Sequence, residues 1–196
     1  MILTHYYIQL NDKHNISTTS ITESNIEEQH NIAKILSSYS GRALRRFDNY
    51  DSYICRRKQT ELQLYNTFIN RGGKPTLNTP LYFVVGENEQ LKQDFGCDVK
   101  ILQIDADIIS EHHISFTLGD SMGLHLSKSP LKIYLLQEIV NMVGGNYDFQ
   151  SSMSSLNPYH RYIEAQLWDK QCFKYIKKVL PNIILQKFIV SLYINK

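Results

Sequence analysis

The chain has little cysteine, no long apolar run and almost no net charge, and each shortage removes a class of protein. Its three cysteines, Cys55, Cys97 and Cys172, are odd in number and far apart, so neither a disulfide framework nor a thiolate metal site is expected. The seven histidines show no ligand spacing either. His112 and His113 are adjacent, and on a strand they would point to opposite faces. No apolar stretch approaches the ~18–20 residues that span a bilayer. The start, Met1-Ile2-Leu3-Thr4-His5-Tyr6-Tyr7, lacks the basic and apolar regions of a signal peptide. A cytoplasmic protein with no membrane partner and no metal is expected. A formal net charge of +2 does not announce a nucleic-acid binder.

What is present fits one globular domain spanning residues 1–196. The chain is 42% hydrophobic and 20% charged, long enough for a sizeable core, and carries no internal repeat. Ile2 to Leu10 reads as a first strand. Ser24 and Glu27 have capping-box spacing and open a helix through Leu36, which Gly41 is expected to end. A second helix is predicted over about Asp51 to Ile69, with Ile54, Leu62, Tyr65 and Phe68 on its apolar stripe. Strands follow at Leu81–Val85, Val99–Ile104 and Ile114–Thr117. Between Ser129 and Gly145 the pattern allows either one helix or a short strand at Leu131–Leu135 before a shorter helix. A polar loop from Asn146 to Pro158 precedes a strand over Tyr159–Trp168. A helix near Phe173–Leu180 and a strand at Ile183–Ile194 close the chain. Helices early and strands late indicate α+β.

The most informative residue is Glu164, a carboxylate inside an apolar strand pattern. Alternation sets Tyr162, Glu164, Gln166 and Trp168 on one face and Ile163, Ala165 and Leu167 on the other. The second set reads as core, and the first as a row that can line a cleft. A solvent-facing glutamate on a half-exposed strand is the ordinary alternative. A basic run, Arg42, Arg45, Arg46, Arg56, Arg57 and Lys58, offers an anion site or a solvated helical face. Arg56 and Arg57 point about 100° apart on a helix, so at most one aims squarely into a cleft, while Arg57 can pair with Glu61 four positions on. Gly119-Asp120-Ser121 looks like a hydrolase nucleophile block, but the base and its orienting group are missing downstream. Gly72-Gly73-Lys74 lacks phosphate-loop spacing and reads as a turn. Most of the thirteen tyrosines are expected in the core or at its rim.

Taken in order, the blocks resemble the DarT-type ADP-ribosyltransferases, toxins that use NAD to modify nucleic-acid bases. The blocks are Leu3-Thr4-His5-Tyr6-Tyr7, Tyr53-Ile54-Cys55-Arg56-Arg57, Pro80-Leu81-Tyr82-Phe83, the strand pair Val99–Ile104 and Ile114–Thr117, and Tyr162-Ile163-Glu164-Ala165-Gln166-Leu167-Trp168. Leu118-Gly119-Asp120-Ser121 departs from the family's block at that place. The resemblance implies a single-domain ADP-ribosyltransferase-like fold, with a central mixed or antiparallel split sheet and flanking helices. It implies a glycosyltransferase-class enzyme with NAD as donor, DNA or RNA as acceptor and an antitoxin as partner, serving a toxin–antitoxin or phage-defence system. Glu164 and Arg56 become the catalytic pair, and His5, Arg57, Tyr6 and Tyr82 the cofactor contacts. The competing expectation is a non-enzymatic module that holds nucleic acid or protein through the Arg42–Lys58 segment.

Overall fold

The computed structural model describes residues 1–8, 20–96, 99–126, 131–143 and 162–169, with 171 and 174 besides. Five strands form one antiparallel sheet: β1 (Ile2–Ile8), β2 (Leu81–Val85), β3 (Val99–Asp105), β4 (Ile114–Leu118) and β5 (Ile163–Leu167). Their order across the sheet is β3-β1-β2-β5-β4. The class is α+β, as the element order implied. Every described pairing is antiparallel, so the mixed alternative falls away for these strands.

Register fixes which side chains share a face. Val84 pairs with both Thr4 and Glu164, and Glu164 pairs with Thr117. Directly paired residues in an antiparallel sheet project to the same side. One face therefore carries Thr4, Tyr6, Tyr82, Val84, Glu164, Gln166, Ser115 and Thr117. The opposite face carries Leu3, His5, Tyr7, Phe83, Ala165 and Phe116. Both faces are covered: two separate apolar clusters pack against them, the first with the early helices and the second with α5 (Leu136–Val143). The half-exposed alternative for the Glu164 strand falls away, since the strand is buried at every position. It lies inside the sheet, between β2 and β4, with an apolar cluster over each face.

Two helices build the layer over Glu164's face. In α1 (Ile26–Ser37) the cap is Asn25, whose side chain accepts from Glu28 N, one position later than the capping box implied. The helix closes at Ser38 rather than Gly41. Gly41 instead opens a 3-10 segment, Arg42–Asn49. A Cβ there would lie 2.3 Å from the Phe95 carbonyl oxygen, so glycine is required by the close approach to α3 (Glu89–Phe95). The next helix, α2 (Tyr50–Asn70), matches its expected span, and most of its expected apolar stripe faces the core. It buries Tyr50, Tyr53, Arg57, Thr60, Glu61, Leu64 and Phe68, while Leu62 is exposed. Of the expected stripe, Phe68 is buried and Ile54 and Tyr65 pack partly buried against the core, so only Leu62 fails, and the buried face extends past the stripe to take in the Arg57–Glu61 ion pair. Short helices α3 and α4 (Ser121–Leu126) went unread, each too brief to show a period. Between Ser129 and Gly145 the second alternative is the nearer one. Tyr134 makes a bridge with Phe116, and α5 follows. The expected loop at 146–158, the helix near 173–180 and the strand at 183–194 lie outside the described residues.

Candidate functional site

A directed chain of hydrogen bonds runs along β4 and β5 to Glu164. Trp168 Nε1, which can only donate, gives its proton to Ser115 Oγ at 2.9 Å. Ser115 Oγ donates to Gln166 Oε1 at 2.9 Å. The Gln166 amide then donates to Glu164 Oε1 at 2.8 Å and to Thr117 Oγ1 at 3.1 Å. Thr117 passes its own proton to the Gly119 carbonyl at 2.9 Å. The chain fixes Glu164 Oε1 as an acceptor. Its other oxygen, Oε2, is buried without a hydrogen-bond partner among the described residues.

Burial pushes the Glu164 carboxyl up to about 8, and the neighbouring carboxylate of Asp120 adds to the push. Ser121, Gln166 and Arg57 pull the other way and are outweighed. The Ser121 hydroxyl acts on Glu164 without reaching the geometry of a full hydrogen bond. In the free protein at neutral pH the carboxyl is therefore largely protonated. Oε1 accepts from Gln166, which leaves Oε2 as the oxygen open to that proton.

Arg57 is the second element of the site. It rises from α2 with 1% of its side chain exposed, and its Nε donates to Glu61 Oε1 at 2.7 Å. Its guanidinium lies over the Tyr82 ring, 3.8 Å from the centroid, a desolvated cation–π stack. Nη1 and Nη2 have no hydrogen-bond partner among the described residues. Burial works to lower its pKa, but the net shift is well upward, with the Glu61 carboxylate bonded to its Nε, so the group stays charged.

Asp120 and Arg46 complete the charges. Gly119, at φ 101°, makes the turn out of β4, and Asp120 then caps α4, accepting from Met122 N and Gly123 N at 3.2 Å each. Asp120 is half-buried by exposure. Burial lifts its pKa to about 6, against the pull of Arg46 and Arg57. Arg46 lies over Tyr53 at 5.6 Å. Asp120, Ser121, Glu61 and Arg46 were not assigned to the site from sequence, although Arg46 stood in the basic run and Glu61 as a partner for Arg57. The signal for the first two was present, because a strand ending in Gly-Asp-Ser puts a capping carboxylate beside the next strand. The hydrolase expectation gains nothing from Ser121, whose oxygen has no hydrogen-bonded base among the described residues.

The site residues proposed from sequence divide clearly. Glu164, Arg57 and Tyr82 come together on one face, whereas Arg56 is half-buried and Arg57 is the arginine turned inward. Tyr6 shares that face, but its hydroxyl is engaged in accepting from Asn88 N at 2.8 Å. His5 projects from the other side of the sheet. It stacks on Tyr7 and lies 5.2 Å from the Phe83 ring centroid. Its Nδ1 contacts the Tyr82 carbonyl oxygen at 2.7 Å, which requires the Nδ1–H tautomer. Strand alternation, invisible to a motif comparison, separates it from Glu164. The basic run disperses too. Arg42 pairs with Asp94 at 2.8 Å, Arg46 and Arg57 turn inward, and Arg45 and Lys58 stay exposed.

His5 lies on the other face from Glu164, and its burial makes stability depend on pH. Burial drops its pKa from 6.5 to about 4, so the folded state keeps the ring neutral while the unfolded chain protonates below 6.5. Stability from this residue is present above that pH and falls between pH 6.5 and 4, by on the order of 3 kcal/mol in total. His5→Gln keeps a donor for the Tyr82 carbonyl and does not titrate. In thermal melts its Tm should fall less steeply than the wild type's across that window. Parallel curves would remove this account.

Among the described residues no group of three or more His, Cys, Asp or Glu side chains is placed to hold a metal ion. No described helix is long and apolar enough to cross a membrane. Comparison with protein-family models, with curated proteins and with solved structures finds no match to this chain.

Proposed function

We propose that this protein is an NAD-dependent ADP-ribosyltransferase that moves ADP-ribose onto a base of DNA or RNA. Its fold is read as a variant of the ADP-ribosyltransferase class. Its setting is the cytoplasm, as the toxin of a toxin–antitoxin or phage-defence pair held in check by a partner protein. One observation carries the reading. A carboxyl oxygen, Glu164 Oε2, and two guanidinium nitrogens, Arg57 Nη1 and Nη2, are buried near one another and left uncommitted by the described structure.

Buried polar groups without partners are rare and call for an explanation. Their types suit NAD as substrate, since its diphosphate offers acceptors to the Nη donors and its ribose offers hydroxyls to a carboxyl oxygen. The substrate supplies a glycosidic bond whose cleavage builds positive charge on the ribose. Glu164, once ionised, stabilises that charge more than it stabilises the ground state. The hydrogen-bond chain from Trp168 holds the carboxyl in one orientation while it does so. Arg57 fixes the phosphates, with Tyr82 as the floor beneath its guanidinium.

The test is incubation with NAD labelled in the adenylate part, together with DNA and RNA oligonucleotides. The expected result is release of nicotinamide and a labelled oligonucleotide. Binding of oligonucleotide that weakens steeply with salt, while NAD is left intact, would instead favour the non-enzymatic module.

A further inference from the structure

Glu61 is held more firmly than an ordinary ion pair one helical turn apart. Its Oε1 accepts from Arg57 Nε at 2.7 Å and from Ser20 Oγ at 2.9 Å, and its Oε2 accepts from Thr22 Oγ1 at 2.6 Å. Ser20 and Thr22 sit on a short 3-10 turn, Ile21–Glu23, pinned by the buried Ile21. Glu61 is 2% exposed and Arg57 1%, so water does not loosen the arrangement. Arg57 is then gripped along one edge by Glu61 and on one face by Tyr82. A planar group held by an edge and a face has a single orientation. The edge left over carries Nη1 and Nη2, whose N–H groups meet no acceptor among the described residues. Charge neutralisation alone does not account for this, because a paired charge with two orphaned donors is still a costly thing to bury.

We propose that Glu61 is the positioning residue of an anion clamp. It sets the Nη1–Nη2 edge of Arg57 for a two-pronged hold on the oxygens of a diphosphate group, and Ser20 and Thr22 keep Glu61 in register. The identification of that diphosphate with the one in NAD rests on the function proposed above. The clamp itself does not.

Inorganic pyrophosphate is the probe, with binding to the full chain measured by calorimetry and each variant's Tm measured alongside. Wild type should bind it, and Arg57→Lys should weaken binding about 10- to 100-fold. Glu61→Asp keeps the charge but retracts the carboxylate by one methylene, and should cost on the order of tenfold. Glu61→Gln keeps the length and should lose less than Glu61→Asp. In an Arg57→Lys background Glu61→Asp should add nothing, since the two act as one unit. Should Glu61→Asp lose its cooperative melt, Ser20→Ala combined with Thr22→Val leaves the ion pair whole and frees the carboxylate to swing. Weaker pyrophosphate binding is expected there too.

Wild-type affinity in either of these variants overturns the proposal. So does a larger loss in Glu61→Gln than in Glu61→Asp, additivity with Arg57→Lys, or no pyrophosphate binding by wild type. Pyrophosphate binding without NAD consumption would remove the transferase reading and leave the clamp standing. NAD consumption with binding indifferent to Glu61 would do the reverse.

Discussion

Glu164→Gln is expected to eliminate the proposed transfer of ADP-ribose while making the protein more stable above neutral pH. The activity loss should be on the order of 10²–10⁴ or more, because the amide cannot offer a negative charge to the developing ribose cation. The stability gain follows from the same environment. Burial and the nearby Asp120 raise the Glu164 pKa from 4.5 to about 8. Between those values the folded state keeps a proton that the unfolded chain has released, so stability declines as pH rises through that window, by about 1.4 kcal/mol per pH unit from this group. Glutamine resembles the protonated carboxyl, keeps an oxygen for the Gln166 amide and carries no such dependence. Wild-type Tm should therefore fall between pH 5 and 8 relative to that of Glu164→Gln. If ionised Glu164 is the working form, kcat/KM in the wild type should rise with pH towards about 8. A folded Glu164→Gln that transfers ADP-ribose at the wild-type rate would remove the central assignment.

The strand that bears Glu164 was legible because alternation is a local signal. The spans of β2 and α2 were legible for the same reason: each is a run of uniform preference bounded by glycine, proline or polar residues. What failed was everything set by distant parts of the chain. The α2 stripe was drawn through Leu62 because leucine is apolar, yet Leu62 is exposed and Arg57, Thr60 and Glu61 face inward. The partners that make this tolerable, Ser20, Thr22 and Tyr82, come from elsewhere in the sequence. Choosing between Arg56 and Arg57 needed the same information, since the two differ by a rotation that only packing can set. His5 was grouped with Glu164 by block order, and register places them on opposite faces. Asp120 and Ser121 were weighed as part of a nucleophile block, and their adjacency to Glu164 depends on β4 pairing with β5.

Arg57→Met is the second large effect, and it appears first as instability. Removing the guanidinium leaves Glu61, 2% exposed, with two hydroxyl donors among the described residues for a full negative charge. Breaking a buried pair from one side costs about 3–5 kcal/mol, which for a domain of this size lowers Tm by on the order of 10 °C. The second substitution decides what the pair is for. Arg57→Met combined with Glu61→Gln removes both charges, keeps an acceptor for Ser20 and Thr22, and lets methionine pack on the Tyr82 ring. Most of the lost stability should return, since replacing a whole buried pair by neutral groups is commonly neutral or better. NAD consumption should not return with it. Circular-dichroism melts and nicotinamide release on the two variants separate the outcomes. Melting of Arg57→Met at the wild-type temperature would show that the pair is not tightly coupled. Recovery of activity in the double variant would show that the arginine is there for the fold. Both expected outcomes together would mean that the fold can do without the pair, and that the two Arg57 donors left without a partner among the described residues are kept for a bound anion.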